Sequence, residues 1–231
     1  MALIQVNYLS MALFRTVPVN VILPVDKFNF DGTPAPDARP YKTLYLLHGL
    51  LGNYTDWVTG TRIQRWAEER NLAVVMPSGD NAFYIDRPAS RNCYGEFVGR
   101  ELVEMTRRMF PLSTFREDTF IAGLSMGGYG TIYHALKYPQ KFTYAYPMSP
   151  AADASWSSFA DKQSDKSVFP AFTFEVGLQD MTVKNNTTKT LYNSLTKKGL
   201  TCEWVERDGS HDWPFWKGCL PKVLAKVGKS F

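Results

Sequence analysis

The pattern of apolar and polar positions divides the chain into two parts. Apolar residues alternate, with some lapses, over Leu3–Leu13 and Thr16–Leu23, which predicts two antiparallel strands. A loop follows, marked by Asp31-Gly32 and by the four prolines of the segment that runs from Pro24 to Pro40. From Lys42 onward, short apolar runs alternate with segments in which apolar residues recur at helical spacing.

This second part predicts an α/β fold with a mostly parallel central sheet and helices on both faces, entered through the antiparallel hairpin. Strands are predicted at Leu44–Leu47, Leu72–Met76, Thr119–Ala122, Phe142–Tyr146, Phe172–Val176 and Glu203–Glu206. Helices are predicted at Ile63–Arg70, Phe97–Phe110, Gly128–Leu136, Lys184–Lys198 and Pro214–Val227. No linker, repeat or low-complexity tract divides residues 1–231, so we expect a single domain.

The stretch Gly123-Leu124-Ser125-Met126-Gly127 has the spacing G-x-S-x-G. In α/β-hydrolases this motif places a nucleophilic serine on a sharp turn between a strand and a helix. The flanks agree, because an apolar run precedes the motif and helically spaced apolar residues follow it as far as Pro139. A side chain at Gly123 or Gly127 would collide with the neighbouring strand or helix. The alternative interpretation is that Ser125 only caps the helix.

A serine nucleophile needs a histidine to accept its proton and an acid to orient that histidine. The chain has three histidines. His48 precedes the serine by several elements, and His134 lies two turns along the helix that begins at Ser125. His211 follows the last predicted strand, which is where the order serine, acid, histidine places the base. We therefore predict that His211 is the base.

The acid is expected just after the strand Phe172–Val176, and Asp180 lies there. Glu175 alternates within that strand instead of following it. Four further acids fit less well, because they lie in a polar loop or too close in sequence to the base: Asp161, Asp165, Asp208 and Asp212. We predict that Asp180 is the acid.

Acyl transfer through a serine also requires two backbone N–H donors for the oxyanion of the tetrahedral intermediate. One comes from the residue after the nucleophile, here Met126. The other comes from the loop after the strand Leu44–Leu47, where Leu50 follows His48-Gly49. The alternative for this loop is an ordinary glycine-containing turn.

Composition excludes several other functions. The net charge is +4, and basic residues never occur more than two in a row, so we expect no nucleic-acid partner. Cys93, Cys202 and Cys219 form no C-x-x-C pair, which argues against a disulfide framework and a zinc site. The N-terminus lacks the features of a signal peptide, and no apolar run reaches the length of a membrane span. We expect a cytoplasmic protein with no membrane partner, metal or cofactor.

Five stretches together resemble the esterase D family of α/β-hydrolases, especially the short tributyrin-type and acetyl esterases. S-formylglutathione hydrolases and feruloyl esterases are relatives of this family. The resemblance covers nearly the whole chain, and it is carried by Val19–Pro24, Tyr45–Trp57, Met76–Gly79, Ala122–Gly130 and Gly209–Trp213.

The resemblance implies that Ser125, Asp180 and His211 form a catalytic triad and that the amides of Leu50 and Met126 form the oxyanion hole. It implies a serine carboxylesterase that hydrolyses short-chain acyl or small aryl-acyl esters through an acyl-enzyme. The expected partner is a small-molecule ester, and a homo-oligomer is compatible with the sequence. Two alternatives use the same machinery: an S-formylglutathione hydrolase-type thioesterase and an acyltransferase to a sugar or alcohol.

The segment between the strands ending at Tyr146 and beginning at Phe172 is about two dozen residues long, which is too short for a separate lid domain. We therefore expect a short cap and an open site. Four aromatic side chains are candidates for its walls, Trp156 and Trp213 foremost: Trp156, Phe159, Trp213 and Trp216. The alternative is that all four pack in the core.

Overall fold

The computed structural model describes residues 1–33, 39–183 and 186–227. Its strands are β1 (Ala2–Ser10), β2 (Arg15–Leu23), β3 (Lys42–Leu47), β4 (Leu72–Pro77), β5 (Asp86–Arg87), β6 (Asn92–Cys93), β7 (Thr119–Leu124), β8 (Tyr144–Met148), β9 (Ala171–Gly177) and β10 (Cys202–Arg207). Its α-helices are α1 (Asp56–Gly60), α2 (Ile63–Glu68), α3 (Tyr94–Glu96), α4 (Leu102–Met109), α5 (Met126–Lys137), α6 (Asn186–Lys197) and α7 (Trp213–Val227).

Eight strands form one sheet in the order β1-β2-β4-β3-β7-β8-β9-β10. The pairs β1–β2 and β2–β4 are antiparallel, and the remaining pairs are parallel. The predicted fold class is confirmed: an N-terminal hairpin leads into a mostly parallel sheet. Every residue of β3, β4, β7 and β8 except Lys42 is buried, as expected for strands covered on both faces.

The two faces of the sheet have separate apolar cores. Along β3, Tyr45 and Leu47 contribute to the core that contains α4, α5 and α6, whereas Leu44 and Leu46 contribute to the core that contains α2 and α7. This division follows from the strand geometry, because successive side chains point to opposite faces. No helix in the described part of the chain is both long enough and apolar enough to cross a bilayer.

Several element bounds differ from the predictions, for local reasons. The first strand ends at Ser10 instead of Leu13, because the hairpin turns at residues 11–14 with Phe14 at a φ of 52°. The predicted helix at Phe97–Phe110 begins earlier, at Tyr94, and contains a π-helical turn over Phe97–Glu101. The elements α1, β5 and β6 were not predicted, since two to five residues are too few to show a period.

Two predicted regions fall partly outside the described residues: the loop between Pro24 and Pro40, and the start of the helix at Lys184–Lys198. The segment between β8 and β9 consists of two short 3₁₀ helices, Ala154–Lys162 and Lys166–Val168. It packs against α5 and α6. The expected short cap is therefore present.

The parallel register brings the carboxyl ends of four strands to the same edge of the sheet. Leu47 of β3 pairs with Gly123 of β7, Leu124 with Met148 of β8, and Met148 with Glu175 of β9. Loops at this edge are where α/β sheets bind ligands. All of the predicted catalytic residues lie in them or at the first turn of α5.

The turn between β7 and α5 depends on the absence of side chains at two positions. A Cβ at Gly127 would lie 2.4 Å from the carbonyl oxygen of Leu47 and 2.7 Å from that of His48. A Cβ at Gly123 would lie 2.5 Å from the carbonyl carbon and oxygen of Gly127. These contacts are with backbone atoms, which cannot rotate away, so α5 lies directly against the end of β3 only because both residues are glycine.

We expect Gly127→Ala to destabilise the protein by about 2–3 kcal/mol, because the added methyl group forces α5 away from β3. Chemical denaturation of the variant and the wild-type protein measures this difference. Gly218→Ala is the matched control, since Gly218 lies in α7 and the atom nearest to its Cβ would be Arg207 Nη2 at 3.1 Å, a side-chain atom and not a backbone one. That change should be neutral or stabilise by up to about 1 kcal/mol. Equal effects of the two substitutions would contradict the steric argument.

Candidate active site

Ser125 occupies the turn between β7 and α5 in a conformation that few residues adopt, with φ 52° and ψ −113°. Its amide donates a hydrogen bond of 2.8 Å to the carbonyl oxygen of Met148 on β8. Its own carbonyl accepts the amide of Tyr129 at 2.9 Å, which begins the helix. The strained backbone is held from both sides, as expected for a residue whose side chain must stand clear of the turn.

Three predicted residues lie in one hydrogen-bonded line. The Nε2 atom of His211 lies 2.8 Å from Ser125 Oγ, and its Nδ1 atom lies 2.7 Å from Asp180 Oδ2. The Asp180 side chain is 2% exposed and that of His211 is 14% exposed. With Nδ1–H donating to the carboxylate, Nε2 is free to accept the serine hydroxyl, which is the tautomer that a general base needs.

The second oxygen of Asp180 is also occupied. Asp180 Oδ1 accepts the amides of Thr182 at 3.0 Å and Val183 at 3.1 Å. The carboxylate is thereby fixed through both oxygens, so it cannot rotate away from the imidazole. This orientation role is the one that the acid of a triad performs.

The loops that carry Asp180 and His211 are tied to each other. The backbone amide of Gln179 donates to the carbonyl oxygen of Gly209 at 3.1 Å. In return, the backbone amide of Gly209 donates to the side-chain oxygen Oε1 of Gln179 at 2.7 Å. Leu178 adds a hydrogen bond of 2.9 Å from its amide to the carbonyl of Arg207. The hydrogen bonds between the ends of β9 and β10 therefore fix the position of Asp180 relative to His211.

A buried ionic cluster lies beneath these loops. The Glu175 side chain is fully buried and accepts hydrogen bonds from Arg207, from Tyr146 and, at 2.6 Å, from Lys222. Burial by itself would raise the pKa of Glu175, but the hydrogen bonds from Lys222, Tyr146 and Arg207 hold that pKa below its ordinary value. Arg207 also donates to the carbonyl of Phe215 at 2.6 Å, so the cluster joins β9, β10 and α7. Glu175 is part of this cluster and does not contact His211.

The other acids considered in the sequence have different partners. Asp161 pairs with Lys198, and Asp165 accepts the amide of Ser167. The Asp208 carboxylate accepts a hydrogen bond from the side-chain amide of Gln179. The Asp212 carboxylate accepts one from the backbone amide of Phe215 at the start of α7. None of these four carboxylates has a contact with His211 among the described residues.

Among the described residues, the backbone amides of the two predicted oxyanion donors have no hydrogen-bond acceptor. Met126 is the first residue of α5, and the amides of a first helical turn have no partner within the helix. The Leu51 amide donates to Asn81 Oδ1 at 2.8 Å, and the Gly52 amide donates to the carbonyl of Gly49. Within residues 1–33, 39–183 and 186–227, the Leu50 amide makes no hydrogen bond, so it is available as a donor.

His48 orients the peptide that carries this donor. Its Nδ1 atom lies 2.7 Å from the carbonyl oxygen of Gly49, and its Nε2 atom accepts the amide of Gly79 at 2.8 Å. The Gly49 carbonyl and the Leu50 amide belong to the same planar peptide, so fixing one fixes the other. Burial lowers the pKa of His48, which keeps the ring neutral. Sequence reasoning missed this role and that of Asn81, and no local spacing identifies Asn81.

The third histidine has no part in the site. His134 is fully buried in α5, and burial lowers its pKa to about 3. No group of three or more His, Cys, Asp or Glu residues in the described ranges is arranged to hold a metal ion.

The four aromatic candidates for the pocket wall divide into two groups. Trp213 is half-buried and lines a shallow cavity together with Leu50, and Trp216 packs edge-on against the His211 ring at 5.0 Å between centroids. Trp156 is buried against Tyr129 at 4.4 Å, and Phe159 packs against Tyr133. The first pair lies beside the base, and the second pair joins the cap to α5.

Comparison with known proteins extends these observations. The family model described as "Putative esterase" matches residues 10–227. An acetyl esterase from Caldicellulosiruptor saccharolyticus is 36% identical, with 99% of each chain covered. A solved fluorophosphonate-binding serine hydrolase of Staphylococcus aureus is 28% identical, covers 99% of this chain and 98% of its own, and has a TM-score of 0.81. An S-formylglutathione hydrolase of the same organism is 30% identical, with 99% of each chain covered and a TM-score of 0.80.

We expect Asp180→Asn to preserve the fold and to lower kcat for p-nitrophenyl acetate by up to about 10⁴-fold, because the amide favours the wrong imidazole tautomer. Asp208→Asn is the matched control, since it removes a carboxylate that is close to His211 in sequence but bonded to Gln179. A loss of this size in Asp208→Asn, Asp161→Asn or Asp165→Asn, with activity retained in Asp180→Asn, would show that the acid has been assigned wrongly.

Proposed function

The chain belongs to this esterase family and is a carboxylesterase, and from that premise we propose that it hydrolyses short-chain acyl or small aryl-acyl esters through Ser125, Asp180 and His211. The observation that carries the proposal is the continuous line of hydrogen bonds from Asp180 through His211 to Ser125 Oγ, with distances of 2.7 and 2.8 Å. The substrate is a small-molecule ester, and no cofactor is required for this chemistry.

In the first half-reaction His211 Nε2 takes the hydroxyl proton as Ser125 Oγ attacks the ester carbonyl. The oxyanion that forms is stabilised by the amides of Leu50 and Met126. Collapse of the tetrahedral intermediate breaks the bond to the alcohol oxygen, which takes the proton from His211. Asp180 stabilises the imidazolium that exists between these two transfers.

In the second half-reaction a water molecule replaces the alcohol. His211 accepts a proton from this water, which attacks the acyl-Ser125 carbonyl and forms a second oxyanion at the same two amides. Collapse of this intermediate breaks the bond between the acyl carbon and Ser125 Oγ, Oγ takes the proton back from His211, and the carboxylic acid is released. The complete cycle consumes one ester and one water molecule and releases one alcohol and one carboxylic acid.

The preference for short acyl groups rests on the cap. The segment between β8 and β9 forms two short 3₁₀ helices instead of a lid domain. Burial of a methylene group contributes about 0.8 kcal/mol only where an apolar groove receives it.

A thioester substrate is the second candidate, because an S-formylglutathione hydrolase is 30% identical over 99% of both chains. The same acyl-enzyme forms from either substrate, and only the leaving group differs. Comparison of kcat/KM for S-formylglutathione with that for p-nitrophenyl acetate separates the two candidates.

Ser125→Ala should remain folded and lose essentially all esterase activity, because the covalent path requires the hydroxyl. His211→Ala should be equally damaging, and the double variant no worse, since the two residues act as a unit. A fluorophosphonate probe should label the wild-type protein and not Ser125→Ala. Ser210→Ala, which removes an exposed hydroxyl beside the base, serves as the control. Retention of more than about 1% of activity in Ser125→Ala would contradict the assignment.

Across p-nitrophenyl esters, kcat/KM should peak between acetyl and butyryl and fall for octanoyl and longer chains, because an open site buries few methylene groups. The rate should not jump when the ester concentration passes its solubility limit. A maximum at eight carbons or more, or activation at an oil-water interface, would reveal a buried acyl channel.

A further inference from the structure

A cavity of about 300 Å³ adjoins the proposed active site on the side of the oxyanion loop. It lies between residues 50–52 of that loop and helix α1, and Trp213 forms one wall. Leu50 supplies an oxyanion donor, and Trp213 is two residues beyond the base. A group in this cavity therefore lies next to the loop that carries the Leu50 amide.

Two glycines keep the cavity open. A Cβ at Gly60 would lie 3.2–3.3 Å from three atoms of the Trp213 six-membered ring, so glycine leaves that part of the indole uncovered. A Cβ at Gly52 would lie 1.9 Å from Asp56 Oδ2, in the space that the carboxylate occupies. A side chain at Gly52 would displace the carboxylate, and one at Gly60 would cover part of the indole.

The two oxygen-bearing side chains of the cavity, Asp56 and Thr59, present acceptors. Asp56 has no ion pair or side-chain hydrogen bond with any residue in the described part of the chain. The Thr59 hydroxyl donates its hydrogen to the carbonyl oxygens of Thr55 at 3.2 Å and Asp56 at 3.3 Å. Only its lone pairs are then available to a ligand. An unpaired carboxylate beside an indole is the combination that attracts an organic cation.

The carboxylate also affects the chemistry at Leu50. Negative charge develops on the substrate oxygen in the transition state, and Asp56 is a fixed negative charge in the same cavity wall. Repulsion between the two opposes the reaction of a neutral ester. A cation bound between them offsets this repulsion, so the same residue should favour a positively charged substrate and disfavour a neutral one.

We propose that this cavity binds the ammonium group of an ester whose alcohol half is cationic, of the choline type. We assign the cavity to the alcohol half of the ester and not to the acyl half. The alcohol oxygen must reach His211 Nε2, and Trp213, which lines the cavity, is only two residues after His211 in the chain. The proposal rests on the proposed esterase function: the choline oxygen takes the proton from His211 and leaves, and the acyl group stays on Ser125.

The test compares acetylcholine with its neutral isostere, 3,3-dimethylbutyl acetate, which has the same shape without the charge. We expect the wild-type enzyme to prefer acetylcholine roughly tenfold in kcat/KM, because a partly desolvated cation gains from both the carboxylate and the indole. Asp56→Asn should bring that ratio close to one, by lowering kcat/KM for acetylcholine and leaving it equal or higher for the neutral ester. Gly60→Ala should also lower the preference, by covering the Trp213 ring.

Glu117→Gln is the matched control, because it removes one exposed negative charge at the opposite end of β7 and should not change the ratio. A wild-type ratio near one, or equal losses on both esters in Asp56→Asn, would overturn the proposal. Faster hydrolysis of glycerol monoacetate than of acetylcholine would also overturn it, by showing that the acceptors bind hydroxyl groups.

Choline binding separates this proposal from the proposed esterase function. Titration of Ser125→Ala with choline, followed by tryptophan fluorescence, reports on the cavity without any turnover. Saturable quenching that Asp56→Asn abolishes supports the cation site even if no ester is hydrolysed. Absence of saturable quenching, in a protein whose Ser125 reacts with fluorophosphonate, overturns the cation site and leaves the esterase function intact.

Discussion

The close approach of α5 to the end of β3 is the contact on which the rest of the site depends. Because Gly127 has no side chain, the helix start lies against the carbonyls of Leu47 and His48. This places Met126, the first residue of α5, next to the start of the loop that carries Leu50. The two amides proposed as oxyanion donors come from these separate parts of the chain, so the steric constraint at Gly127 decides how closely they can approach each other.

Around this contact the protein fixes each reacting group through polar interactions behind it. His48 contacts the carbonyl oxygen of Gly49, Asn81 accepts the amide of Leu51, and neither occupies the amide of Leu50. The cluster of Glu175, Arg207 and Lys222 joins the strands beneath Asp180 to the helix that follows His211. Such preorganisation matters because donors that are already oriented need not reorganise as charge develops in the transition state.

The elements that could be predicted are those whose pattern extends over several residues. All eight strands of the main sheet and the longer helices follow from apolar runs and helical spacing, as β7, α5 and α7 illustrate. The elements that could not be predicted, α1, β5 and β6, are too short to show a period. Their formation depends on contacts with distant parts of the chain, and one of them, α1, carries Asp56 into the cavity beside Leu50.

For the proposed site, the sequence by itself determined the candidate residues. The motif around Ser125, the order of the elements and the position of His211 pointed to the same constellation that the hydrogen bonds display. The tertiary structure alone decided what surrounds it: the partners of His48 and Asn81, the ionic cluster at Glu175, and the unpaired carboxylate of Asp56. The physical reason is that a catalytic motif is local in the chain, whereas a side chain's partners come from strands and loops tens of residues away and depend on how the sheet assembles.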